Sequence, residues 1–424
     1  MRYNTQKKFV NHLFFLLLMA AALNCSSSRQ QKEYSDYELP SISHPSFYRT
    51  ISGLTGMPLL EGNKVTILNT SESTFSSLHQ LLEGAKKSIN MEIYIFDSDE
   101  TALKTSEILI RKAKEGVKIK MLVDFIGGRF LKKSLIRRFK KAGIEFYFYE
   151  PFDLLNLRKV NERTHRKLVI VDGIRGITGG FGISDFWTKG ERGKKVRDLQ
   201  VLVEGPVVVQ MQSIFMRNWY KTTHQIFVGE SYFPEIKNAN GLKARMVTSK
   251  PRNGSSAIKH AYLLSINSSR KYFWMEHSYF VPDRILVDSL KKAAGRGVDV
   301  RIILPSVSTT DSPPAVHAGR RHYDELLAAG IQICEYQEDI LHAKFAVADD
   351  LWTTLGSANF DTRSFYLSSE ANLEIYSEVF ASRIKSLFLE DLKLCKNVSL
   401  DKLRKRGWTF RFREWFYGLW EKQL

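Results

Sequence analysis

The feature that most constrains this chain is a short motif that occurs twice, His-x-Lys with an Asp five residues after the Lys. Each copy is followed by an apolar run and a glycine-containing turn, at 178–182 and 355–359, and the copies are His165/Lys167/Asp172 and His342/Lys344/Asp349. The alternation of a β-strand places residues i and i+2 on one face, so we expect each motif to lie on a strand with its His and Lys side by side. A single match often occurs by chance, whereas two matches followed by the same apolar run and turn indicate a duplicated functional unit.

A strand–helix–strand pattern precedes each motif. In the first copy, an apolar stretch at 91–96 and a helical stretch at 103–113 lead through Gly116 to a second apolar stretch. In the second copy, the stretches at 272–276 and 285–294 lead through Gly297 in the same way. Such βαβ units imply parallel strands. The sequence therefore predicts an α/β fold with two halves related by pseudo-twofold symmetry, at 51–238 and 239–395.

The first 25 residues have the pattern of an export signal. Arg2, Lys7 and Lys8 precede an unbroken apolar run of 11 residues at 13–23, which suits a signal peptide because a membrane span needs about 20 residues. Cys25 follows the run and resembles the acylated cysteine of bacterial lipoproteins, although Asn24 departs from the usual small residue there. An uncleaved anchor and an ordinary signal peptide are the alternatives. Residues 26–50 are polar and serine-rich, which is typical of a flexible tether.

The chain is strongly basic, with a formal net charge of +18. This charge implies an anionic partner, either nucleic acid or an acidic membrane surface. The C-terminal segment, residues 396–424, mixes cations with large aromatic side chains at 404–408 and 411–417. Such a segment either lies at a membrane interface or packs as an amphipathic helix on its own protein. Cys334 and Cys395 are too few for a disulfide framework, and buried thiols are favoured over one disulfide.

The motifs and their flanks resemble the phospholipase D superfamily, and in particular the bacterial cardiolipin synthases. The resemblance extends over about 53–376 and includes the strings at 62–65, 278–283 and 356–364. It implies two phospholipase D-type α/β/α halves that meet at one shared active site, with no metal or cofactor. Since both motifs are in one chain, a monomer is expected. The activity implied is phosphatidyl transfer through a phosphohistidine.

The resemblance also implies a role for each residue of the site. His165 is expected to be the nucleophile and His342 the general acid and base, while Lys167 and Lys344 neutralise the phosphate with help from Ser357 and Asn359. Carboxylates follow each motif at the family's spacing, which suggests Asp198 as the partner of His165 and Glu370 as the partner of His342. Asp172 and Asp349 are expected to brace the motif loops. Gly182 stands where the family usually has Asn, so the first half lacks one expected phosphate ligand.

Four functions remain open at this point. Transfer between phospholipids, with phosphatidylglycerol or a similar lipid as substrate, is the leading hypothesis. Hydrolysis to phosphatidic acid differs only in whether water replaces the lipid alcohol. A phospholipase D-family nuclease fits the charge, but the cardiolipin synthase-like flanks favour a membrane substrate over nucleic acid. A catalytically weak lipid-binding protein is the fourth possibility. The predicted location is the bacterial cell envelope, as a lipoprotein facing the periplasm or the outside.

Overall fold

The structure is a computed structural model that describes residues 39–151, 161–236, 241–250, 256–421 and 423. The predicted export signal, the lipidation site Cys25 and the first part of the tether lie outside the described residues. The prediction of a flexible tether is wrong for residues 45–50, because helix α1 (Pro45–Thr55) begins there. Its side chains Phe47 and Ile51, one turn apart, are buried in the core of the second half.

The first half alternates strands and helices and closes with a long helix. Its described elements are β1 (Leu60–Leu68), α2 (Ser71–Glu83), β2 (Ser88–Ile93), α3 (Glu100–Lys114), β3 (Lys118–Asp124), α4 (Lys133–Lys141), β4 (Glu145–Tyr149), β5 (Arg163–Thr164), β6 (Leu168–Val171), β7 (Arg175–Gly179), α5 (Asp185–Lys189), β8 (Val196–Arg197), β9 (Gln200–Glu204) and α6 (Val207–Thr223).

The second half repeats this order and continues into the C-terminal segment. Its described elements are β10 (Leu242–Ser249), α7 (Ala257–Ser268), β11 (Tyr272–His277), β12 (Phe280–Val281), α8 (Arg284–Gly295), β13 (Asp299–Pro305), α9 (Pro313–Gly319), a 3-10 turn (Arg320–His322), α10 (Tyr323–Ala328), β14 (Gln332–Tyr336), β15 (Ile340–Leu341), β16 (Lys344–Ala348), β17 (Trp352–Gly356), β18 (Phe360–Asp361), α11 (Thr362–Tyr366), β19 (Ser368–Tyr376), α12 (Glu378–Lys393), β20 (Cys395–Asn397), α13 (Leu400–Arg404) and α14 (Trp408–Gly418).

One large mixed sheet runs through both halves. The order of its strands is β20-β14-β13-β11-β16-β17-β19-β10-β1-β9-β7-β6-β2-β3-β4. The predicted parallel units are present, since β2 pairs in parallel with β3 and β11 with β13. The strands around the motifs are antiparallel, and β10 joins the halves by pairing with β1 on one side and β19 on the other.

Helices cover both faces of this sheet because its central strands are apolar on both faces. In β6, Leu168 and Ile170 pack in a cluster with α6 and α12, whereas Val169 and Val171 pack with α2, α3 and α4. The strand β16 behaves in the same way, with its alternate side chains divided between α12 and the pair α7 and α8. Continuous burial of this kind is typical of a sheet in a three-layer α/β/α arrangement, which confirms the predicted fold class.

The motif histidines do not lie on strands, contrary to the prediction. The strand β6 begins at Leu168, after His165 and Lys167, and β16 begins at Lys344, after His342. The physical reason is that the backbone at each histidine bonds to the opposite half. The amide of His165 donates to the Ser369 carbonyl (2.9 Å), and the amide of His342 donates to the Arg197 carbonyl (2.8 Å).

The predicted C-terminal tail is folded where the structure describes it. It begins with β20, which pairs with β14 and places Cys395 next to the buried Cys334 as two free thiols. The helices α13 and α14 follow, and α14 packs on α9. Within the described ranges, no helix combines the length and the apolar character that crossing a bilayer requires.

Candidate active site

Each motif histidine is positioned by a short strand that pairs with the opposite half. The strand β5 ends one residue before His165 and pairs in parallel with β19, where Ser368 and Ser369 precede Glu370. The strand β15 ends one residue before His342 and pairs in parallel with β8, which directly precedes Asp198. The parallel register therefore places the next residue of each strand, a histidine and a carboxylate, side by side.

The two histidine–carboxylate pairs are consequently crossed between the halves. His165 Nδ1 lies 2.9 Å from Glu370 Oε1, and His342 Nδ1 lies 2.8 Å from Asp198 Oδ2. The sequence analysis paired Asp198 with His165 and Glu370 with His342, and this assignment is wrong. The two carboxylates were correctly identified as partners of histidines, but each one acts on the histidine of the other half.

The hydrogen bonds leave Nε2 of each imidazole as the nitrogen available to substrate. A carboxylate bound at Nδ1 fixes the tautomer that carries its proton there. Burial, followed by the charges of Lys167 and Lys344, lowers the pKa of His165 well below its usual value. An imidazole with so low a pKa is neutral at physiological pH, which is the form in which its free nitrogen can attack an electrophile.

The second pair differs in its electrostatics. Burial alone would raise the pKa of Asp198, but the neighbouring His342 and Lys344 outweigh it and lower that pKa below the usual value. Burial instead raises the pKa of Glu370 to about 7. Burial and the charge of Lys344 lower the pKa of His342 as well, but the anionic Asp198 opposes them, so His342 holds a proton more readily than His165 does.

The motif lysines lie deep in the site. Lys167 Nζ donates to the His165 carbonyl (2.6 Å), and Lys344 Nζ donates to the His342 carbonyl (2.5 Å). Both side chains are almost fully buried. Burial lowers the pKa of Lys167 to about 7 and lowers the pKa of Lys344 below its usual value. A buried ammonium group without a full counter-charge is suited to an anionic ligand, which would restore its proton affinity.

Ser357 and Asn359 are both buried in the turn after β17 but have different partners. The Ser357 hydroxyl donates to Glu370 Oε2 (2.5 Å), so its proton supports the carboxylate, whereas the sequence predicted a phosphate contact. The Ser278 hydroxyl donates to Asn359 Oδ1 (2.7 Å). This contact orients the amide of Asn359 so that its NH₂ group is the end left for an anionic oxygen.

Trp187 is a site residue that sequence reasoning missed. Its indole Nε1 donates to Asp198 Oδ2 (3.0 Å), and its ring packs edge-to-face on His342 with centroids 5.5 Å apart. A Cβ added at Gly182 would lie 2.5 Å from the Trp187 ring, and one added at Gly180 would lie 2.2 Å from Asp198 Oδ1. The indole thus occupies the space that an Asn at position 182 would need. In the second half, Ser357 supports Glu370 in the corresponding role.

Asp172 and Asp349 brace the ends of the motif strands by equivalent contacts. Asp172 accepts hydrogen bonds from the backbone amides of Lys86, Lys87 and Ser88, and the shortest distance for each amide is 2.7–2.9 Å. Asp349 accepts from the amides of the corresponding loop, Arg270, Lys271 and Tyr272, at 2.7–3.0 Å. Both residues have positive φ, 54° and 50°, a conformation that Asp and Asn tolerate better than most residues.

We expect Asp172→Asn to destabilise the fold by about 2–3 kcal/mol, because an amide replaces a charged acceptor of three backbone N–H groups. Asn preserves the tolerance of positive φ, so the change isolates the hydrogen bonds. Urea unfolding measures the loss, with Glu107→Gln as the control, since Glu107 forms an exposed ion pair with Arg138. A loss for Asp172→Asn no larger than that of the control would contradict the bracing role.

Known proteins identify the family. A family model described as "Cardiolipin synthase, PLD-like domain" matches residues 78–219 and 262–392, which together exceed half of the chain. The chain belongs to this family of phospholipase D-like (PLD-like) proteins. Cardiolipin synthase 1 of Bacillus cereus is 34% identical over 377 residues, which are 86% of this chain and 73% of that protein. Cardiolipin synthase of Geobacillus sp. (strain WCH70) is 32% identical over 389 residues, 91% and 77% of the two chains.

Solved structures agree with this fold. The phosphatidylserine synthase of Haemophilus influenzae Rd KW20 superposes with a TM-score of 0.69 at 15% sequence identity, over 89% of this chain and 100% of that one. A polyphosphate kinase from Porphyromonas gingivalis superposes with a TM-score of 0.57 at 12% identity, over 94% and 58%. At such identities the likeness concerns the fold. Family and fold together confirm the predicted phospholipase D-type enzyme, in which a phosphatidyl group is transferred between phospholipids.

Proposed function

We propose that this enzyme moves the phosphatidyl group of a donor such as phosphatidylglycerol to a second lipid alcohol through a phosphohistidine on His165, which makes cardiolipin or a relative. The observation that carries the proposal is the crossed arrangement of two imidazoles. Each is held at Nδ1 by a carboxylate of the other half, and each lies beside a buried lysine. This arrangement supplies a nucleophile, an acid and two cations for one phosphodiester.

The first step forms the covalent intermediate. His165 Nε2 attacks phosphorus and forms a P–N bond, while the bond from phosphorus to the leaving alcohol breaks. His342 Nε2, protonated when the phosphodiester is bound, gives its proton to the departing oxygen. The negative charge of the substrate favours this protonation, and Lys167 and Lys344 neutralise the non-bridging oxygens.

The second step reverses these roles. The acceptor hydroxyl enters where the first alcohol left, and the now neutral His342 Nε2 removes its proton. The acceptor oxygen forms a new bond to phosphorus as the P–N bond to His165 breaks, which restores both imidazoles. Water in place of the lipid alcohol would give phosphatidic acid by the same steps. The lower pKa of Asp198 relative to Glu370 supports His342, rather than His165, as the residue that holds the proton.

Products formed from phosphatidylglycerol vesicles test the proposal. Mass spectrometry should find cardiolipin and glycerol in equal amounts with the purified chain, and neither product with a Lys167→Ala/Lys344→Ala control. Phosphatidic acid without cardiolipin would replace transfer by hydrolysis. Cleavage of single-stranded DNA without lipid turnover would overturn the lipid assignment in favour of a nuclease, and binding without turnover would indicate a lipid-binding protein.

The two halves are expected to contribute unequally to phosphate binding. Asn359→Ala should lower kcat/KM about 100-fold, because the amide of Asn359 has no counterpart at Gly182. Lys344→Ala should likewise lower kcat/KM more than Lys167→Ala does, since it removes the cation from the half that contains Asn359. Steady-state kinetics with phosphatidylglycerol measures both effects, with Asn397→Ala, exposed on β20, as the control. Unchanged transfer by Asn359→Ala would remove the asymmetry argument.

Activity should follow a narrow bell-shaped pH profile around neutrality. Below pH 7, Glu370, whose pKa burial raises to about 7, takes up a proton and loses the negative charge that strengthens its hydrogen bond from His165. Above pH 7, Lys167, whose pKa burial lowers to about 7, loses the charge that binds the phosphodiester. The dependence of kcat/KM on pH reports both groups in the free enzyme. Lys167→Arg keeps its charge and should extend activity to higher pH, so a wild-type rate that still rises at pH 9 would contradict this assignment.

We also propose that the chain is exported and attached to the cell envelope by acylation of Cys25, and that it acts on the membrane as a monomer. The signal-like sequence at 1–25 and the net charge of +18 support this location. Detergent phase partitioning after labelling with a radioactive fatty acid tests it. The wild type and Cys395→Ala should carry the label and Cys25→Ala should lack it, whereas label that persists in Cys25→Ala excludes this site. Light scattering of the purified chain measures its oligomeric state.

A further inference from the structure

Helix α14 has an unpartnered aromatic surface. Its exposed fractions reach 76% at Trp408 and 57% at Trp415. Within the described ranges, every exposed Trp and Phe lies in this helix. Single apolar residues scattered on a surface are ordinary, but a cluster of large ones marks an interaction site. We name the cluster on one side of the helix the aromatic face, and it consists of Trp408, Phe412, Trp415, Phe416 and, just after the helix, Leu419.

The other side of α14 is fixed to the protein. Glu414 is buried and forms an ion pair with Arg406. The Arg321 guanidinium donates to the Gly418 carbonyl (2.9 Å) and fills the space against that glycine. The ring of Tyr417 stacks on His317 of α9, with centroids 5.6 Å apart. The helix is therefore already folded and oriented, and the aromatic face is directed to solvent with nothing left to cover it among the described residues.

This helix lies beside the active site. Arg363, four residues after Asn359, donates from Nη1 to the carbonyl of Gln423, a few residues after α14 (3.1 Å). On the other side, α9 packs on β12 and follows a loop in which the Thr309 carbonyl accepts from the amide of Leu341, the residue before His342 (2.9 Å). Contacts thus link the region of α14 to residues near Asn359 and near His342. A surface that binds α14 would therefore also set the position of the active site.

The charges on α14 indicate the chemistry of the partner. Arg411 and Arg413 are exposed between the aromatic residues, and Lys405 is exposed just before the helix. Trp and Phe favour the boundary between headgroups and acyl chains, and Arg and Lys attract anionic headgroups. Cations interleaved with aromatics on a helix too short to span are typical of a segment that lies flat in a bilayer surface.

We propose that α14 docks on an anionic phospholipid membrane through the aromatic face and holds the catalytic pocket against the lipid layer. The proposal rests on the proposed function in one respect, since the docked membrane is taken to be the one that contains the substrate. Docking of this kind would present a lipid phosphodiester to His165 without extracting the acyl chains from the bilayer.

Tryptophan fluorescence tests the docking directly. Of the seven tryptophans, Trp187, Trp219, Trp274 and Trp352 are buried, and none lies in residues 1–44. The other three are Trp408, Trp415 and the half-buried Trp420 just after the helix, so they report on α14 even if the N-terminal segment also binds lipid. With the full chain and phosphatidylglycerol vesicles that contain brominated acyl chains, we expect a blue shift and strong quenching.

A double variant, Phe412→Ser/Phe416→Ser, retains all three reporters and should insert them at least about tenfold less. The control is Ile226→Ser/Val228→Ser, two exposed apolar residues elsewhere, which should quench as the wild type does. Absence of quenching in the wild type, or equal quenching in the two variants, overturns the proposal and leaves a protein partner as the occupant. Equal quenching by neutral vesicles overturns its electrostatic part.

Turnover of a short-chain phosphatidylglycerol dissolved as monomers separates this proposal from the proposed function. The Phe variant should match the wild type on monomers and lose at least about tenfold on vesicles. Equal losses on both substrates would mean that the aromatic face acts on the pocket rather than on the membrane, which overturns docking. No turnover of either substrate by the wild type would overturn the proposed function, while the fluorescence result would still decide the docking.

Discussion

Replacing His165 with Asn should reduce phosphatidyl transfer at least about 10⁴-fold, because an amide cannot form the P–N bond of the intermediate. Asn retains polarity and part of the volume, and Glu370 keeps the hydroxyl of Ser357 as a second donor. The fold should therefore survive, which a thermal melt matching the wild type would show. A transfer rate within tenfold of the wild-type rate would contradict the assignment of His165 as the nucleophile.

A phosphodiester with a nitrophenolate leaving group separates His165 from His342. Nitrophenolate departs without a proton, so His342→Asn should still be phosphorylated while His165→Asn should not. The covalent adduct should accumulate in His342→Asn, since no base remains to activate the acceptor. Intact-protein mass spectrometry detects the adduct. An adduct on His165→Asn, and none on His342→Asn, would exchange the two roles.

Asp198→Asn should lower kcat about 10³-fold, since an amide no longer holds His342 in the tautomer that presents Nε2 to substrate. Asp198 is a positioning residue, so its loss should depend on the leaving group. With the nitrophenyl donor, formation of the intermediate should fall by less than about tenfold. Equal losses with both donors would contradict this role.

Two comparison variants sharpen that result. Glu370 orients the nucleophile rather than the acid. Glu370→Gln should therefore slow the reaction with both donors equally. Trp187→Phe removes one hydrogen bond to Asp198 and keeps an aromatic ring, so it should reproduce the leaving-group dependence of Asp198→Asn at a smaller size, about tenfold. If Trp187→Phe showed the same dependence on the leaving group as the wild type, the indole N–H would have no part in positioning.

The sequence predicts which residues form this site better than it predicts which of them contact each other. A motif repeated with the same flanks predicts which residues form the site, because their types and spacing are local properties. The carboxylate partners are a different matter, since His165 and Glu370 are 205 residues apart and His342 and Asp198 are 144 apart. Which carboxylate meets which histidine depends on the pairing of β5 with β19 and β15 with β8. Strands of two residues leave no periodic pattern from which such pairing could be predicted.

The same limit explains the other differences. Gly182 could be seen to lack an amide, but the space it opens for Trp187 is a tertiary contact across a turn. Phe47 and Ile51 are one helical turn apart, but two apolar residues among the prolines and serines of 26–50 are too few to predict α1. The alternation of His165 and Lys167 suggested a strand, yet both residues precede β6, because backbone bonding to the other half overrides the local pattern.

The crossed histidine–carboxylate pairs have a consequence for the synthesis and folding of this enzyme. A growing polypeptide presents His165 and Asp198 long before Glu370 has been made, and both then lack the residue they are meant to contact. We expect activity only when β19, near the end of the second half, has closed on β5. A chain released before Glu370 should therefore be inactive. On this expectation, membrane lipids are modified only after both halves have been made.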